Sequence, residues 1–226
     1  MNTLQKETRK HNRFQGNRNS ISRNQNNKKQ LNPDVFVRKA TAPEETAPWK
    51  ADRPIAELPV HPSIIANLHR KGYTSPTEIQ DKSIDAVLKG SDLMGLAQTG
   101  TGKTGAFLIP LVHRLLGKQP GHQVLVLSPT RELALQIETE FGGTDVRRDI
   151  QKLKRPCHVI IGTPGRITDM VRQNALNLDR ISVLVLDEFD RLLDMGFSTD
   201  IMRLAEAMPQ RNQTILFSAT EDKSQK

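Results

Sequence analysis

Cysteine is almost absent from this sequence of 226 residues, and tryptophan and tyrosine each occur once. Cys157 is the only cysteine, so no disulfide can form within the chain, which favours a reducing compartment. Aromatic residues make up 4% of the chain, which argues against nucleic-acid binding through many stacked rings. No apolar run reaches the roughly 18 residues that a membrane helix needs, and no apolar segment follows Met1 as in a secretory signal. These absences predict a cytoplasmic protein with no membrane partner.

Acidic residues are nearly missing from the first thirty positions. Residues 1–30 contain eight lysines and arginines and a single glutamate, whereas the whole chain carries a formal net charge of +8. The positive charge is therefore concentrated in this segment, which is also rich in asparagine and poor in apolar residues. Such a composition cannot bury enough surface to offset the entropy lost on ordering. We predict a disordered basic extension and linker over residues 1–50 and a folded domain over residues 51–226.

Hydrophobic periodicity predicts the elements of the folded domain. Apolar residues recur at helical spacing over residues 61–71 and 78–89, and short apolar runs then alternate with further helical stretches. The predicted strands are residues 92–97, 123–128, 158–162, 182–186 and 213–217, and the predicted helices are 103–116, 131–141, 164–172, 191–195 and 199–208. This alternation predicts an α/β fold with a parallel sheet flanked by helices. Ligands of such sheets bind at the carboxyl ends of the strands.

A glycine-rich loop follows the first predicted strand. It consists of Ala97, Gln98, Thr99, Gly100, Thr101, Gly102, Lys103 and Thr104, and it departs from the G-x-x-x-x-G-K-[ST] pattern only at Ala97. Glycines allow the backbone to wrap closely around phosphates, and the following helix presents its N-terminal N–H groups. The pattern assigns Lys103 to the β- and γ-phosphates and the Thr104 hydroxyl to Mg²⁺. A plain glycine turn before a helix is the alternative interpretation.

Two acids, Asp187 and Glu188, end the apolar strand predicted at residues 182–186. In a parallel sheet they would lie at the same edge as the loop that carries Lys103. Asp187 is then predicted to hold Mg²⁺, and Glu188 to orient or deprotonate an attacking water. Acids that merely stabilise a helix N-terminus are the alternative. The loop and the acids together predict ATP and Mg²⁺ as cofactors.

With these motifs the chain resembles the DEAD-box ATP-dependent RNA helicases, from Ile55 to Thr220. The resemblance implies a RecA-like P-loop domain that binds ATP and the backbone of single-stranded RNA. In the acidic motif the third position is Phe189, where the family has alanine, and both acids of the chemistry are intact. The phenylalanine affects only the packing expected next to the coupling loop.

Residues 72–80 resemble the adenine-recognition motif of the family. The resemblance implies that Gln80 reads adenine and that Tyr73 and Thr74 belong to the same nucleotide site. A primary amide can donate and accept at once along the adenine N6/N7 edge, so the assignment is chemically reasonable. An exposed helix residue is the alternative for Gln80. The aromatic residue that stacks on adenine in the family falls at Ile55, which offers no π-face, so we expect a weaker nucleotide affinity.

Three further segments resemble the family's RNA-contacting motifs. They are Pro129, Thr130 and Arg131; Gly142 and Gly143; and Thr163, Pro164, Gly165 and Arg166. Arginine side chains and helix starts suit contacts to phosphates, which are independent of base sequence. A surface salt bridge is the alternative for each arginine. The resemblance also implies that Asp190, Ser218 and Thr220 couple the nucleotide site to the RNA-bound state.

The sequence departs from the family pattern in two places. No match to the family's second lobe follows Thr220. We therefore expect this lobe alone to bind nucleotide, to hydrolyse it slowly and to unwind nothing. Slow hydrolysis is expected because the arginine finger of the second lobe can contribute roughly 10³–10⁵ in rate. In addition, Phe141 is followed directly by Gly142, where the family has a longer connection that contains a strand. We expect the remaining elements to fold if that strand lies at the edge of the sheet.

Two other functions fit parts of the sequence. One is a different P-loop ATPase, such as a transport or DNA-remodelling motor, and Gln80 with residues 129–134 argues against it. The other is a non-catalytic RNA-binding lobe. Whether the lobe is a helicase or only binds RNA, two interpretations remain for the basic residues 1–30. They are a weak electrostatic tether for RNA or a solvated extension.

Overall fold

The computed structural model describes Trp49, Ala51 and residues 53–118, 123–140 and 157–219. All of them belong to the second of two units of the chain, Ala47–Lys226. Several predictions lie outside the described residues: the extension over residues 1–48, the RNA-contacting Gly142 and Gly143, the coupling residue Thr220 and the short connection after Phe141.

The described residues form a 3₁₀ turn, seven α-helices and five β-strands. In chain order they are the 3₁₀ turn Ile55–Glu57, α1 Pro62–Arg70, α2 Glu78–Leu88, β1 Leu93–Leu96, α3 Lys103–Leu115, β2 Val124–Leu127, α4 Arg131–Glu140, β3 Val159–Gly162, α5 Pro164–Arg172, β4 Val183–Leu186, α6 Phe189–Asp194, α7 Ser198–Glu206 and β5 Gln213–Ser218. The helices and strands lie where the periodicity predicts them, whereas the 3₁₀ turn was not predicted. The start of α6 differs most, because Glu188 adopts φ +49° and turns the chain directly from β4 into the helix.

The five strands form one parallel sheet in the order β1-β5-β4-β2-β3. This confirms the predicted fold class. β1 and β5 end together, since Leu96 pairs with Ser218, and β2, β3 and β4 end together, since Leu127 pairs with both Leu186 and Gly162. β5 runs two residues past the end of β4, because Leu186 pairs with Leu216. The loops that carry the predicted motifs therefore leave the sheet at one edge. The phosphate-loop strand β1 and the acidic strand β4 are not neighbours, because β5 lies between them.

Side chains from the two faces of the sheet form separate hydrophobic clusters. The valines of β2 and β4, with Ile215 and Phe217, pack toward α3, whereas the leucines of β2 and β4 pack toward α5, α6 and α7. This alternation follows from the two-residue repeat of a strand. Every central strand is thus covered on both faces, as a buried parallel sheet requires.

A third cluster joins the 3₁₀ turn and α1 to α2 and α3. Its buried members are Ile55, Leu58, Val60, Ile64, Ile84 and Ile109. Ile55 is only 1% exposed, so its side chain belongs to the core and offers no open apolar face to a base. Among the described residues no helix is long and apolar enough to span a bilayer.

Candidate functional site

The phosphate loop leaves β1 as an open turn. Gly100 and Gly102 have φ values of +87° and +94°, a region that side chains other than glycine rarely occupy. The Thr101 hydroxyl donates to the Gln98 carbonyl at 2.7 Å, which closes the turn on itself. At the base of the loop the Ala97 N–H donates to the Ser218 carbonyl at 2.9 Å and attaches the loop to β5. The exposed backbone of the turn is available to a ligand.

Lys103 is the first residue of α3, and its side chain is buried beneath the loop. The residue is 6% exposed, and its Nζ has no hydrogen-bond partner among the described residues. A buried ammonium without hydrogen bonds is costly, because burial removes its hydration without replacing it. The arrangement suits an anion, which could supply the missing acceptors.

Asp187 and Glu188 lie at the carboxyl end of β4 and are 6% and 5% exposed. The pKa of Asp187 is raised to about 6, mainly because burial disfavours its charged form. The Lys103 ammonium opposes this shift, whereas the charges of Glu188 and Glu140 add to it. Lys103 and Asp187 therefore interact electrostatically even though their strands are separated by β5. A divalent cation would stabilise the ionised form of Asp187.

Glu188 forms an ion pair with Arg191, one helical turn further along the chain. The arginine side chain is 54% exposed, whereas that of Glu188 is 6% exposed. Arg191 belongs to none of the motifs identified in the sequence. The i,i+3 spacing of an acid and a base at the start of a helix is the signal that could have identified it.

Gln80 connects the adenine-recognition motif to the phosphate loop. Its Oε1 accepts from the Thr77 N–H and its Nε2 donates to the Gly102 carbonyl, both at 3.1 Å. Gln80 is 6% exposed, so the alternative of an exposed helix residue is wrong. A Cβ atom at Gly102 would lie 2.6 Å from the Gln80 Nε2, so the close approach needs a glycine there. Tyr73 and Thr74 lie on the same motif and are exposed.

The predicted coupling residues Asp190 and Ser218 lie beside β4 and β5. Asp190 accepts a hydrogen bond from the Ala219 N–H at 3.2 Å, which ties the start of α6 to the residue after Ser218. Ser218 is 2% exposed at the end of β5. Phe189 is half-buried and packs against the hydrophobic cluster beneath α5, α6 and α7. The phenylalanine is thus accommodated by the core, and it leaves the contact between Asp190 and Ala219 in place.

The predicted RNA-contacting residues lie at the starts of two neighbouring helices. Arg131 begins α4 after β2, and Pro164 begins α5 after β3, two strands that pair directly. Arg131 and Arg166 are exposed, whereas Pro129 and Pro164 are buried. The sheet edge is thereby divided. The loop after β1 and the residues after β4 include the predicted nucleotide-site residues, the end of β5 carries the predicted coupling residue Ser218, and the helix starts after β2 and β3 carry predicted RNA-contacting residues.

The substitution Asp187→Asn should stabilise the nucleotide-free protein at neutral and higher pH. Because the folded-state pKa of Asp187 is raised to about 6, protonation favours the folded state. Its contribution to stability is fully present below its unfolded pKa and is lost as the pH rises through about 6. Asparagine does not titrate, so the variant should gain up to about 3 kcal/mol above that pH and little near pH 4. Unfolding in urea with EDTA, from pH 4 to 8, measures the difference. An unchanged difference across this range would contradict the burial effect.

The chain is similar in sequence to known helicases. The sequence model of the family described as DEAD/DEAH box helicase matches residues 77–226. An ATP-dependent RNA helicase CshA from Listeria monocytogenes is 41% identical over 180 residues, which cover 73% of this chain and 35% of that protein. A DEAD-box ATP-dependent RNA helicase CshA from Geobacillus kaustophilus is 42% identical over 179 residues, covering 73% of this chain and 38% of that protein.

A solved structure shares the fold. The crystal structure of a DEAD box protein from the hyperthermophile Methanococcus jannaschii superimposes with a TM-score of 0.69 at 32% sequence identity. The match covers 76% of this chain and 51% of that chain. The chain thus spans about a third of the length of the curated relatives it matches.

Proposed function

This chain belongs to the DEAD/DEAH box helicase family, and we propose that it is the ATP-binding lobe of an ATP-dependent RNA helicase. In this proposal the lobe binds ATP with Mg²⁺ at one half of the sheet edge and the backbone of single-stranded RNA at the other. The relatives named as RNA helicases share with this chain a segment that is only about a third of their length. Unwinding by the whole protein is therefore proposed as well, rather than shown by the similarity.

One observation carries the nucleotide part of the proposal. Lys103 presents a buried ammonium that lacks a hydrogen-bond partner among the described residues, and its charge lowers the pKa of the buried Asp187 carboxyl against the effect of burial. A triphosphate would supply acceptors for Lys103, and the glycine turn before it offers backbone N–H groups to the same phosphates. The cost of burying both charges without a ligand supports a site that is completed by binding.

The residues at this site also fit a magnesium ion. We assign Asp187 and the Thr104 hydroxyl as its protein ligands. No group of three or more His, Cys, Asp or Glu side chains in the described part of the chain could hold a metal by itself. Such a group is not needed for Mg²⁺, which commonly binds through one or two carboxylates together with phosphate oxygens and water. When bound, the ion neutralises charge on the phosphates.

Base recognition is assigned to Gln80. Its amide has two N–H donors and two acceptor sites on the oxygen. One donor is directed to Gly102 and one acceptor site is used by Thr77, so one of each remains. That remainder matches the N7 acceptor and the N6 donor of adenine. The same side chain therefore could join recognition of the base to the position of the phosphate loop.

The catalytic role is assigned to Glu188, and the RNA contacts to the starts of α4 and α5. The Glu188 carboxylate, held by Arg191, would orient or deprotonate the attacking water. Arg131, Arg166 and backbone N–H groups at the two helix starts would contact phosphates. Gly142 and Gly143 complete the proposed RNA site, and Thr220 the proposed coupling.

Replacing Arg166 with glutamine tests the RNA half of the proposal. We expect the affinity for single-stranded RNA to fall by a similar factor for every sequence, because Arg166 would contact phosphate rather than bases. The slope of log affinity against log salt should decrease by about 0.7 to 1 for the lost contact. Fluorescence anisotropy with oligonucleotides of two unrelated sequences measures both quantities, while the affinity for Mg·ATP should stay unchanged.

Arg172 provides the matched control, since it lies exposed in the last turn of the same helix. Arg172→Gln removes the same charge but should alter the salt slope much less. Equal effects at the two positions would indicate only a long-range charge effect. Binding of RNA without any binding of Mg·ATP to the unaltered chain would favour the non-catalytic RNA-binding lobe instead.

A further inference from the structure

The segment before the 3₁₀ turn is attached to α2 by Arg53. Its Nε donates to the Asp81 carboxylate at 2.9 Å, and its Nη2 donates to the Asp85 carboxylate at 3.2 Å and to the Asp81 carbonyl at 3.5 Å. The guanidinium therefore spans one full turn of the helix. We call these contacts the Arg53 clamp.

The Asp81 half of the clamp is more enclosed than a typical surface ion pair, whereas the Asp85 side chain is 47% exposed. The side chain of Asp81 is 9% exposed and that of Arg53 is 21% exposed. By contrast, the Lys82–Glu78 pair on the same helix is exposed on both sides, at 62% and 53%. Exposed pairs contribute little to stability, whereas removing one partner of an enclosed pair leaves the other charge poorly solvated. Asp81 therefore depends on Arg53 for its environment.

Asp81 directly follows Gln80 in the first turn of α2. The Asp81 N–H donates to the Thr77 carbonyl at 2.9 Å, and the Gln80 Oε1 accepts from the Thr77 N–H. The residue that the clamp holds is thus part of the same turn that sets the direction of the Gln80 amide. A shift of this turn would move the Gln80 Nε2 away from the Gly102 carbonyl, to which it donates at 3.1 Å.

A second attachment fixes the same segment to the adenine-recognition loop. The Ile55 N–H donates to the Thr74 carbonyl at 3.1 Å, and the Ile55 side chain packs in the cluster that contains Ile84 of α2. Arg53 binds the acidic side chains on the polar side of α2, and Ile55 packs against the apolar side of the same helix. Both residues belong to one short stretch of chain, so this stretch restrains the helix from two directions.

We infer that Arg53 is a positioning residue for nucleotide recognition, which acts through Asp81 to hold the Gln80 amide between the base and the phosphate loop. The inference rests on the proposed function, because it assigns Gln80 to adenine. It adds a residue that lies 27 positions before Gln80 and outside the glycine loop, the acidic strand and residues 72–80.

Arg53→Gln should weaken binding of Mg·ATP about fivefold, within the range of effects that coupled neighbours show. Binding of inorganic tripolyphosphate should weaken much less, because the Gln80 amide would contact the base directly but reaches the phosphate loop only through the Gly102 carbonyl. In a Gln80→Ala background the same Arg53→Gln substitution should have no further effect on ATP affinity. Arg53→Lys keeps the positive charge and should restore part of the lost affinity. The rescue should be incomplete, because an ammonium lacks the planar fork that reaches both carboxylates. Titration calorimetry below the unfolding temperature of each variant provides these affinities.

The matched control is Lys82→Gln, which removes an exposed pair from the same helix and should leave ATP affinity unchanged. Hydrogen exchange of the Gln80 side-chain amide, followed by NMR without nucleotide, gives an independent measurement. Exchange should be faster in Arg53→Gln than in the unaltered protein and in Lys82→Gln.

Three results with Arg53→Gln would each overturn the inference. The first is an unchanged ATP affinity in Arg53→Gln, and the second is an equal loss for ATP and tripolyphosphate, which indicates a general structural defect. The third is an additional loss in the Gln80→Ala background, which indicates a path that bypasses the amide. If Gln80→Ala itself leaves the preference for ATP over GTP unchanged, the base-reading assignment fails and the inference fails with it. A failure of Arg53→Gln alone leaves the proposed function intact.

Discussion

Lys103→Ala should abolish measurable binding of Mg·ATP while the protein remains folded. Lys103 is assigned to the β- and γ-phosphates, and hydrogen bonds to charged groups contribute about 1.5–3 kcal/mol each. Because about 1.4 kcal/mol corresponds to a factor of ten, the loss of two such contacts predicts an affinity at least about 100-fold lower. Fluorescent ATP analogues and calorimetry measure this loss.

The nucleotide-free protein should tolerate the change, because the Lys103 Nζ makes no hydrogen bond within the described residues. Its removal nevertheless deprives Asp187 of a nearby positive charge, so the pKa of Asp187 should rise further. Lys103→Met fills most of the volume that alanine leaves empty, and it should lose as much ATP affinity as Lys103→Ala. An equal loss would show that the missing charge, rather than a cavity, weakens binding. The exposed Lys89 provides a matched control, and Lys89→Ala should bind Mg·ATP normally. An unchanged affinity in Lys103→Ala would refute the assignment of the phosphate loop.

Glu188→Gln should stop hydrolysis without preventing nucleotide binding. Glutamine keeps the size of the side chain but cannot take a proton from water. General-base contributions are typically 10²- to 10⁴-fold, so the rate of γ-phosphate release should fall by about that factor. The affinity for Mg·ATP should stay equal or increase, because one negative charge next to the triphosphate is removed. Single-turnover phosphate release with saturating RNA gives the rate, and equilibrium titration gives the affinity.

The Glu188→Gln experiment needs a control variant that changes the net charge equally at a position away from the site. Glu206 ends α7 and is exposed, so Glu206→Gln changes the net charge equally and should leave both quantities unaltered. Phosphate release at the unaltered rate in Glu188→Gln would exclude Glu188 as the catalytic base. Loss of nucleotide affinity in Glu188→Gln would instead indicate that its ion pair with Arg191 holds the binding site together.

The elements that the periodicity predicted are present because their signals are local. Runs such as the valines and leucines of β2 and β4 have the two-residue repeat of a strand covered on both faces, and α5 starts at a proline that suits a first helical turn. The start of α6 was placed too late. The left-handed conformation of Glu188 that begins this helix is uncommon for a side chain with a Cβ and leaves no signature in the residue types.

Other features depend on contacts between distant segments. The resemblance placed Ile55 at an adenine-contacting position, yet an isoleucine that meets Ile84 and Ile109 gains more by burial in the core. The order of the strands could not be read from the sequence, because each crossover helix is compatible with several neighbours. The Arg53 clamp likewise joins residues about thirty positions apart, and nothing in the local sequence of Arg53 distinguishes it from other basic residues.

The chemistry of the site follows from its residue types: a glycine turn with Lys103, an acidic pair after an apolar run, and a glutamine at the start of α2. Residue type fixes what each group can donate, accept or carry as charge. The energies of these groups depend instead on how the chain packs. Packing of the sheet buries Lys103 and Asp187 so that each senses the charge of the other, and the burial of Gln80 directs its amide toward the phosphate loop. Burial and proximity are properties of the assembled sheet edge, because they arise where separate strands end together.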